Sequence, residues 1–228
     1  MIFPTLSKVS LAFMATSVLL ILTPSAESHS YIDCFDWRFN TKTPRTWGSS
    51  DGSCHGYGRR FPADSRIPFG LLTDASPPRH YAQIGADPLP CSDGKRGREV
   101  GQDETMASPI GAAYNGKYMM QTKAKPGQQL CLRWPAKTHG SDPSAQKAYV
   151  YLSGRNPSKD PSQAEFLKNK IATLTYGACM YYAGEDLSAC GGCFKLPAKL
   201  KAGNYVMQWR WELQHDFYTN CADIDVRL

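Results

Sequence analysis

Apolar and polar positions alternate most plainly in the second half of the chain. The stretches "KAYVYLSG" from Lys147 and "NYVMQWRWELQ" from Asn204 are rich in β-branched and aromatic residues and alternate in part, as half-buried strands do. "GQQLCLRWPAK" from Gly127 reads as another strand and "CADIDVRL" from Cys221 as a closing one, while the Pro and Gly of "LPAKLKAG" suit a loop leading into the strand at Asn204. Only "PSQAEFLKNKI" predicts a helix, with Ser162 as its cap and Ala164, Phe166, Leu167 and Ile171 roughly at helical spacing. The stretch from Asn40 to Glu104 is dominated by Gly, Pro, Ser, Asp and Arg, which predicts long loops stapled by Cys54 and Cys91. Many strands, at most one or two short helices and long loops together predict an all-β fold, a β-sandwich.

The front of the chain has a different pattern. One early positive charge at Lys8, an apolar run from Leu11 to Leu22 and small residues at Ala26 and Ser28 have the layout of a secretory signal peptide, residues 1–28. The run is shorter than the roughly 20 residues that span a bilayer, so no membrane anchor is expected. A cut after Ser28 leaves residues 29–228 as a secreted, extracellular chain, and with no linker or repeat in it a single domain is expected.

All eight cysteines, Cys34, Cys54, Cys91, Cys131, Cys179, Cys190, Cys193 and Cys221, lie after that cut. An even count in an exported chain predicts disulfides, in about 105 conceivable pairings that sequence does not rank. Cys190 and Cys193 have zinc-ligand spacing, yet no second such pair and no nearby histidine completes a site, so bridges are favoured. The leader holds only Lys8 and Glu27, so 25 of the 26 basic and 19 of the 20 acidic side chains remain, and the net charge stays +6. That balance favours an acidic partner, although simple solubility would also account for it. Anionic polysaccharide suits a secreted chain better than nucleic acid, because the basic residues do not alternate with aromatics.

With the cut after Ser28, His29 becomes the first residue. Its α-amine and imidazole Nδ1 can then chelate one metal ion, since N, Cα, Cβ, Cγ, Nδ1 and the metal close a six-membered ring that no internal histidine can form. A second imidazole opposite would give three nitrogens in a T with open positions in a tetragonal plane, which suits copper. The amine's reference pKa of about 7.7–8.0 makes its proton easy to displace near neutral pH. Four other histidines could supply the second imidazole: His55, His80, His139 and His215. His139 follows a predicted strand in a loop bounded by Pro and Gly, where a rigid sheet can present a ligand. His55 and His80 lie in the loop-rich region, where substrate contact or solvation is the simpler reading, and His215 could point either way. Tyr218, three residues before Cys221, sits where a disulfide could fix the strand that carries its phenol; a buried core tyrosine is the plainer alternative.

Taken together, the signal peptide followed by His29, "WPAKTHG" with His139, "LPAKLKAGNYVMQWRWEL" and "DFYTNCADI" with Tyr218 resemble the lytic polysaccharide monooxygenases. The basic, eight-cysteine character is most similar to the oomycete pectin-active family. The matching pieces cover the start, middle and end of the mature chain, whereas residues from Asn40 to Glu104 match nothing in the general pattern. The resemblance implies an immunoglobulin/fibronectin III-like β-sandwich and one copper ion per chain in a histidine brace. It assigns His29 and His139 as metal ligands and Tyr218 to the axial side. It also implies an external reductant and O2 or H2O2 as co-substrate. The family has a polar residue, often Gln or Glu, two before the axial tyrosine; here that residue is Asp216, a methylene shorter, with Glu212 and Gln214 as alternatives.

The expected activity is oxidative cleavage of glycosidic bonds in a plant cell-wall polysaccharide by a monomer. Hydrolysis would need a flanking pair of carboxylates, and the acidic residues form no recognisable pair motif. An anionic pectin strand would be drawn to Arg59, Arg60, Lys95, Arg96 and Arg98, while cellulose or chitin would call for exposed aromatics such as Trp37, Trp47 and Tyr57. A copper- or glycan-binding protein without oxidation and a disulfide-rich interaction protein without metal are the competing classes.

Overall fold

The alternating stretches form long strands because each has one apolar row to bury against a facing sheet. In this computed structural model, which describes residues 32, 34–40, 47, 51–58, 81–84, 90–91, 121–135, 146–158, 160–177, 179–181, 189–213 and 216–228, eleven strands and one helix are formed. They are β1 (Trp37–Phe39), β2 (Gly52–Cys54), β3 (Tyr81–Ile84), β4 (Thr122–Ala124), β5 (Gln129–Pro135), β6 (Lys147–Leu152), α1 (Gln163–Leu167), β7 (Lys170–Thr175), β8 (Cys179–Tyr181), β9 (Ala189–Lys195), β10 (Gly203–Leu213) and β11 (Asp216–Val226). A six-stranded sheet runs β3-β11-β10-β6-β7, with β4 added in parallel to β11; a three-stranded sheet runs β5-β9-β8. β1 and β2 pair separately. The fold class is the all-β, immunoglobulin/fibronectin III-like β-sandwich expected.

Leu130, Leu132 and Trp134 of β5, Phe194 of β9, Val150 of β6 and Met207, Trp209 and Trp211 of β10 meet in one apolar core between the two sheets. The centre is aromatic. Tyr176 stacks on Trp211 at 4.1 Å and 9° and lies 6.0 Å from Trp134, whose indole Nε1 donates to the Tyr176 carbonyl at 2.9 Å.

Two expectations are corrected. The helix stops at Leu167: Ser162 and Glu165 form the capping box, Phe166 is buried, but Leu167 is 52% exposed and Ile171 belongs to β7. The alternating "KIATLT" pairs with β6 instead of continuing the helix, because sheet hydrogen bonds and the burial of Leu174 outweigh helical propensity there. The predicted loop region is not all loop either, since it contributes β2 and also β3, which pairs with β11.

The cysteines are consumed as disulfides. Cys34 bonds Cys54, Cys91 bonds Cys221 and Cys131 bonds Cys193. Cys190 is bridged as well and faces Cys179 in the β8–β9 register. Neither cysteine of the zinc-spaced pair is therefore free for a metal.

Candidate functional site

Tyr218 sits near the start of β11, opposite Trp211 of β10 and Ala82 of β3. Directly opposed residues share a face, so Tyr218 turns inward with Trp211; its ring is 5.0 Å from the Trp211 ring and the residue is 4% exposed. The phenol thus caps the Trp211–Tyr176 stack at one end of the core.

Three residues on, the opposite face of β11 carries Cys221, whose bridge to Cys91 draws residues 90–91 onto the back of the sheet. Buried Gln208, opposite Cys221 on β10, strengthens this attachment: its amide Nε2 donates to the Pro90 carbonyl at 2.7 Å. Its amide also pairs with that of Gln163 just inside α1, at 3.0 and 2.9 Å. The strand behind Tyr218 is therefore fastened both covalently and through a buried amide.

On the inward face, two residues beyond Tyr218, Asn220 Oδ1 accepts the backbone N–H of Ile32 at 2.9 Å, a buried contact across 188 residues. Ile32 is itself 2% exposed in the core. Two residues further, Cys34 bridges Arg133 of β5 in antiparallel register, donating at 3.3 Å and accepting at 2.9 Å. Because the register is antiparallel, the chain before Cys34 and the chain after Arg133 run toward the same end of β5. His29 lies five residues before Cys34 and His139 six after Arg133. Asn220 and Ile32 were missed by sequence reasoning; parity with Tyr218 was the one available signal for Asn220, and nothing local marks its partner.

No family model matches this chain, and no curated protein does. It is similar to an AA10 lytic polysaccharide monooxygenase from Streptomyces lividans, at 17% identity and a TM-score of 0.41 over 64% of this chain and 81% of that one. A cellulose-active lytic polysaccharide monooxygenase in complex with copper gives 16%, 0.41, 68% and 70%. A chitin-binding domain from Burkholderia pseudomallei gives 16%, 0.40, 87% and 99%. At such values no residue role passes from those proteins to this one.

The other predicted site residues fall as follows. His29, His80, His139, His215, Gln214, Arg59, Arg60, Lys95, Arg96 and Arg98 lie outside the described residues. Glu212 and Asp216 are in the β10–β11 hairpin, in register with Phe217 and Leu213 respectively. Among the described residues no group of three His, Cys, Asp or Glu side chains could hold a metal, and no helix is long and apolar enough to cross a membrane. His55 belongs to another part of the fold: its Nε2 is 3.0 Å from Ser53 Oγ, and its neighbour Gly56 packs on Thr122, which pairs with Ile224. Ile224 is six residues from Tyr218, about 20 Å along β11.

The suggested aromatic platform is corrected. Trp37 and Trp47 are 3% and 5% exposed, buried in a satellite cluster with Cys34 and Cys131. Arg133 lies 3.7 Å over the Trp37 ring and donates to the Trp47 carbonyl at 3.1 Å. A Cβ at Gly52 or Gly191 would strike these indoles at 2.7 and 2.6 Å, so both rings occupy slots cut into the sheet. Tyr57 is half-buried.

Proposed function

We propose that this chain is a secreted copper-dependent lytic polysaccharide monooxygenase that cleaves an acidic plant cell-wall polysaccharide, homogalacturonan-type pectin. The observation that carries the reading is the buried hydrogen bond from the Ile32 amide to Asn220, two residues from Tyr218. His29 is three residues from Ile32, and three residues span at most about 10 Å, so the amine of a chain beginning at His29 is within reach of the Tyr218 end of the core. The Cys34–Arg133 bridge is antiparallel, so the chain before Cys34 and the chain leaving Arg133 run the same way along β5, which favours His139 as the second imidazole.

Those residues would fit copper by donor chemistry: an α-amine and two imidazoles are the nitrogen donors copper favours, and a buried phenol is at most a weak one. Bound there, copper would supply oxidation of a C–H bond beside the glycosidic link, using external reductant and O2 or H2O2. The chain's part is to hold geometry. His29 would hold the metal through its amine and Nδ1, His139 through one imidazole nitrogen, and the buried Tyr218 phenol would exclude water beside it. Asp216, with Glu212 and Gln214 as alternatives, would orient the co-substrate by hydrogen bonding.

The substrate assignment is supported by two observations. Trp37 and Trp47 are buried, so neither offers a flat face to neutral cellulose. The net charge of +6 favours a polyanion, with Arg59, Arg60, Lys95, Arg96 and Arg98 as the substrate contacts of this reading.

Mass mapping of the secreted chain's N-terminus, followed by copper titration and product analysis on polygalacturonate with ascorbate and H2O2, tests the proposal. A free His29, one Cu(II) per chain and oxidised oligogalacturonides are expected. A chain retaining one extra residue before His29 that binds copper as tightly, with an unchanged electron paramagnetic resonance spectrum, would place the metal elsewhere. Oxidised products from cellulose or chitin and none from polygalacturonate would overturn the substrate.

A further inference from the structure

The end of the sandwich remote from Tyr218 is basic. Tyr218 and Val226 are eight residues apart on β11, about 27 Å. Two connections meet beside Val226: the β4–β5 turn and the β9–β10 loop. Leu196 N–H donates to the Gln128 carbonyl at 2.9 Å, Gln128 N–H to the Lys125 carbonyl at 3.0 Å, and a Cβ at Gly127, where φ is +75°, would lie 3.7 Å from that of Ala198. The C-terminus is tied in by Arg227 N–H donating to the Ala124 carbonyl at 2.9 Å. These contacts bring Lys123, Lys125, Lys195, Lys199 and Lys201 to one end, and all five are exposed. None of them is in an ion pair among the described residues. Asp225, in register with Lys123, has its carboxylate taken up by Arg227 at 2.6 and 2.7 Å. The patch ends at Arg155, whose hollow also holds Asp160 and Glu165.

Like charges gathered with no ion pair among the described residues repel one another, and folding alone gives no reason to collect them. We propose that this end is a docking surface for a linear carboxylate-bearing polysaccharide, separate from the Tyr218 end. Charge complementarity names the occupant. Five ammonium groups on these well-tied connections and the strand ends beside them form a field that reads charge density, because each is a compact hydrated point charge and not a geometric fork. The two connections, "TKAKPGQQ" and "KLPAKLKAG", contain no aromatic residue on which a nucleobase could stack. The surface lies about 27 Å along β11 from Tyr218, so it tethers the protein to the polymer and raises the local concentration of polymer at the far end. The proposal shares with the function above only the class of polymer, and it requires neither copper nor oxidation.

The test uses copper-free mature protein and two triple variants of equal charge. Lys125→Gln/Lys195→Gln/Lys199→Gln removes part of the patch; Lys147→Gln/Lys168→Gln/Lys170→Gln removes exposed lysines along β6, β7 and the end of α1. Affinity for polygalacturonate is measured over a salt series, with hydroxyethylcellulose as neutral control. The patch variant should weaken binding about tenfold at low salt and make the slope of log K against log salt shallower by about 2, as expected for the loss of three polyanion contacts. The control variant should stay within about twofold of the parent. Equal weakening in both variants would mean that net charge alone attracts the polymer, and no change in the patch variant would remove the site; either result overturns the proposal. Phosphatidylserine vesicles supply a further arm: patch-dependent binding to vesicles without binding to polygalacturonate would make this a membrane-docking end and defeat the polysaccharide assignment. Because copper is absent throughout, these outcomes are independent of whether the Tyr218 end oxidises anything.

Discussion

At its Tyr218 end β11 is held from both faces: Trp211 packs on the phenol within the core, Asn220 holds the Ile32 amide, and Cys91 and Gln208 fasten the back of the sheet. At its Val226 end the same strand is flanked by tight turns whose lysine side chains are exposed and in no ion pair among the described residues. The first arrangement fixes atoms. The second fixes only the backbone beneath a set of charges. A metal site needs donors placed within fractions of an ångström, whereas attraction of a flexible polyanion needs charge density and tolerates mobile side chains. On the proposed reading, the Cys91–Cys221 bond and the buried Gln208 and Asn220 contacts serve geometry at the Tyr218 end, while the lysines serve attraction at the other.

The sharpest test of that difference is at the histidines. His139→Ala is expected to lower Cu(II) affinity by more than about 100-fold, beyond the cost of losing a residue that merely supports a ligand, and to abolish oxidised products. His55→Ala, about 20 Å away along β11, should leave the copper spectrum and titration unchanged. Comparable losses in both variants, read by isothermal titration, would erase the distinction between the two regions.

A smaller effect is expected from the bridge behind Tyr218. The Cys91–Cys221 bond joins residues 130 apart, and replacing both by Ser should cost about 5 kcal/mol through the entropy regained by the unfolded chain. For a domain of this size that corresponds to a fall in Tm of about 10–20 °C. The Cys34–Cys54 bond, with a separation of 20, should cost about 3 kcal/mol by the same relation. Thermal unfolding followed by circular dichroism checks the order, and a larger loss from the shorter bridge would contradict it.

Asn220→Ala comes next. It leaves the buried Ile32 amide without its acceptor and should cost about 1–3 kcal/mol in chemical denaturation. It should also broaden the copper spectrum, because the front of the chain loses its anchor near Tyr218. A stability loss with an unchanged spectrum would separate the anchor from the metal site. The least effect belongs to the remote end: Lys199→Gln should change stability by no more than about 0.5 kcal/mol, since the side chain is exposed.

The sequence alone determined the sheet-forming stretches. Alternation in "KAYVYL" and "NYVMQWRWEL" is a local property with a period of two, and it survives as β6 and β10 because burying one row of each is favourable in any two-sheet arrangement. It also determined that the cysteines would be bridged and that Ser162 would cap a helix, both set by local chemistry. Where that helix ends was not legible, because Ile171 and Leu174 had to find β6 and the core before the strand could prevail. Only the tertiary structure decided that Trp37 and Trp47 are slotted beside glycines under Arg133, that Cys91 pairs with Cys221, and that lysines on two connections form one patch. Only it decided that the amide of Ile32 meets Asn220 across 188 residues. These facts depend on contacts between residues far apart in sequence. No short-range pattern records such contacts, because they are selected when the sheets pack and each buried polar group must find an acceptor.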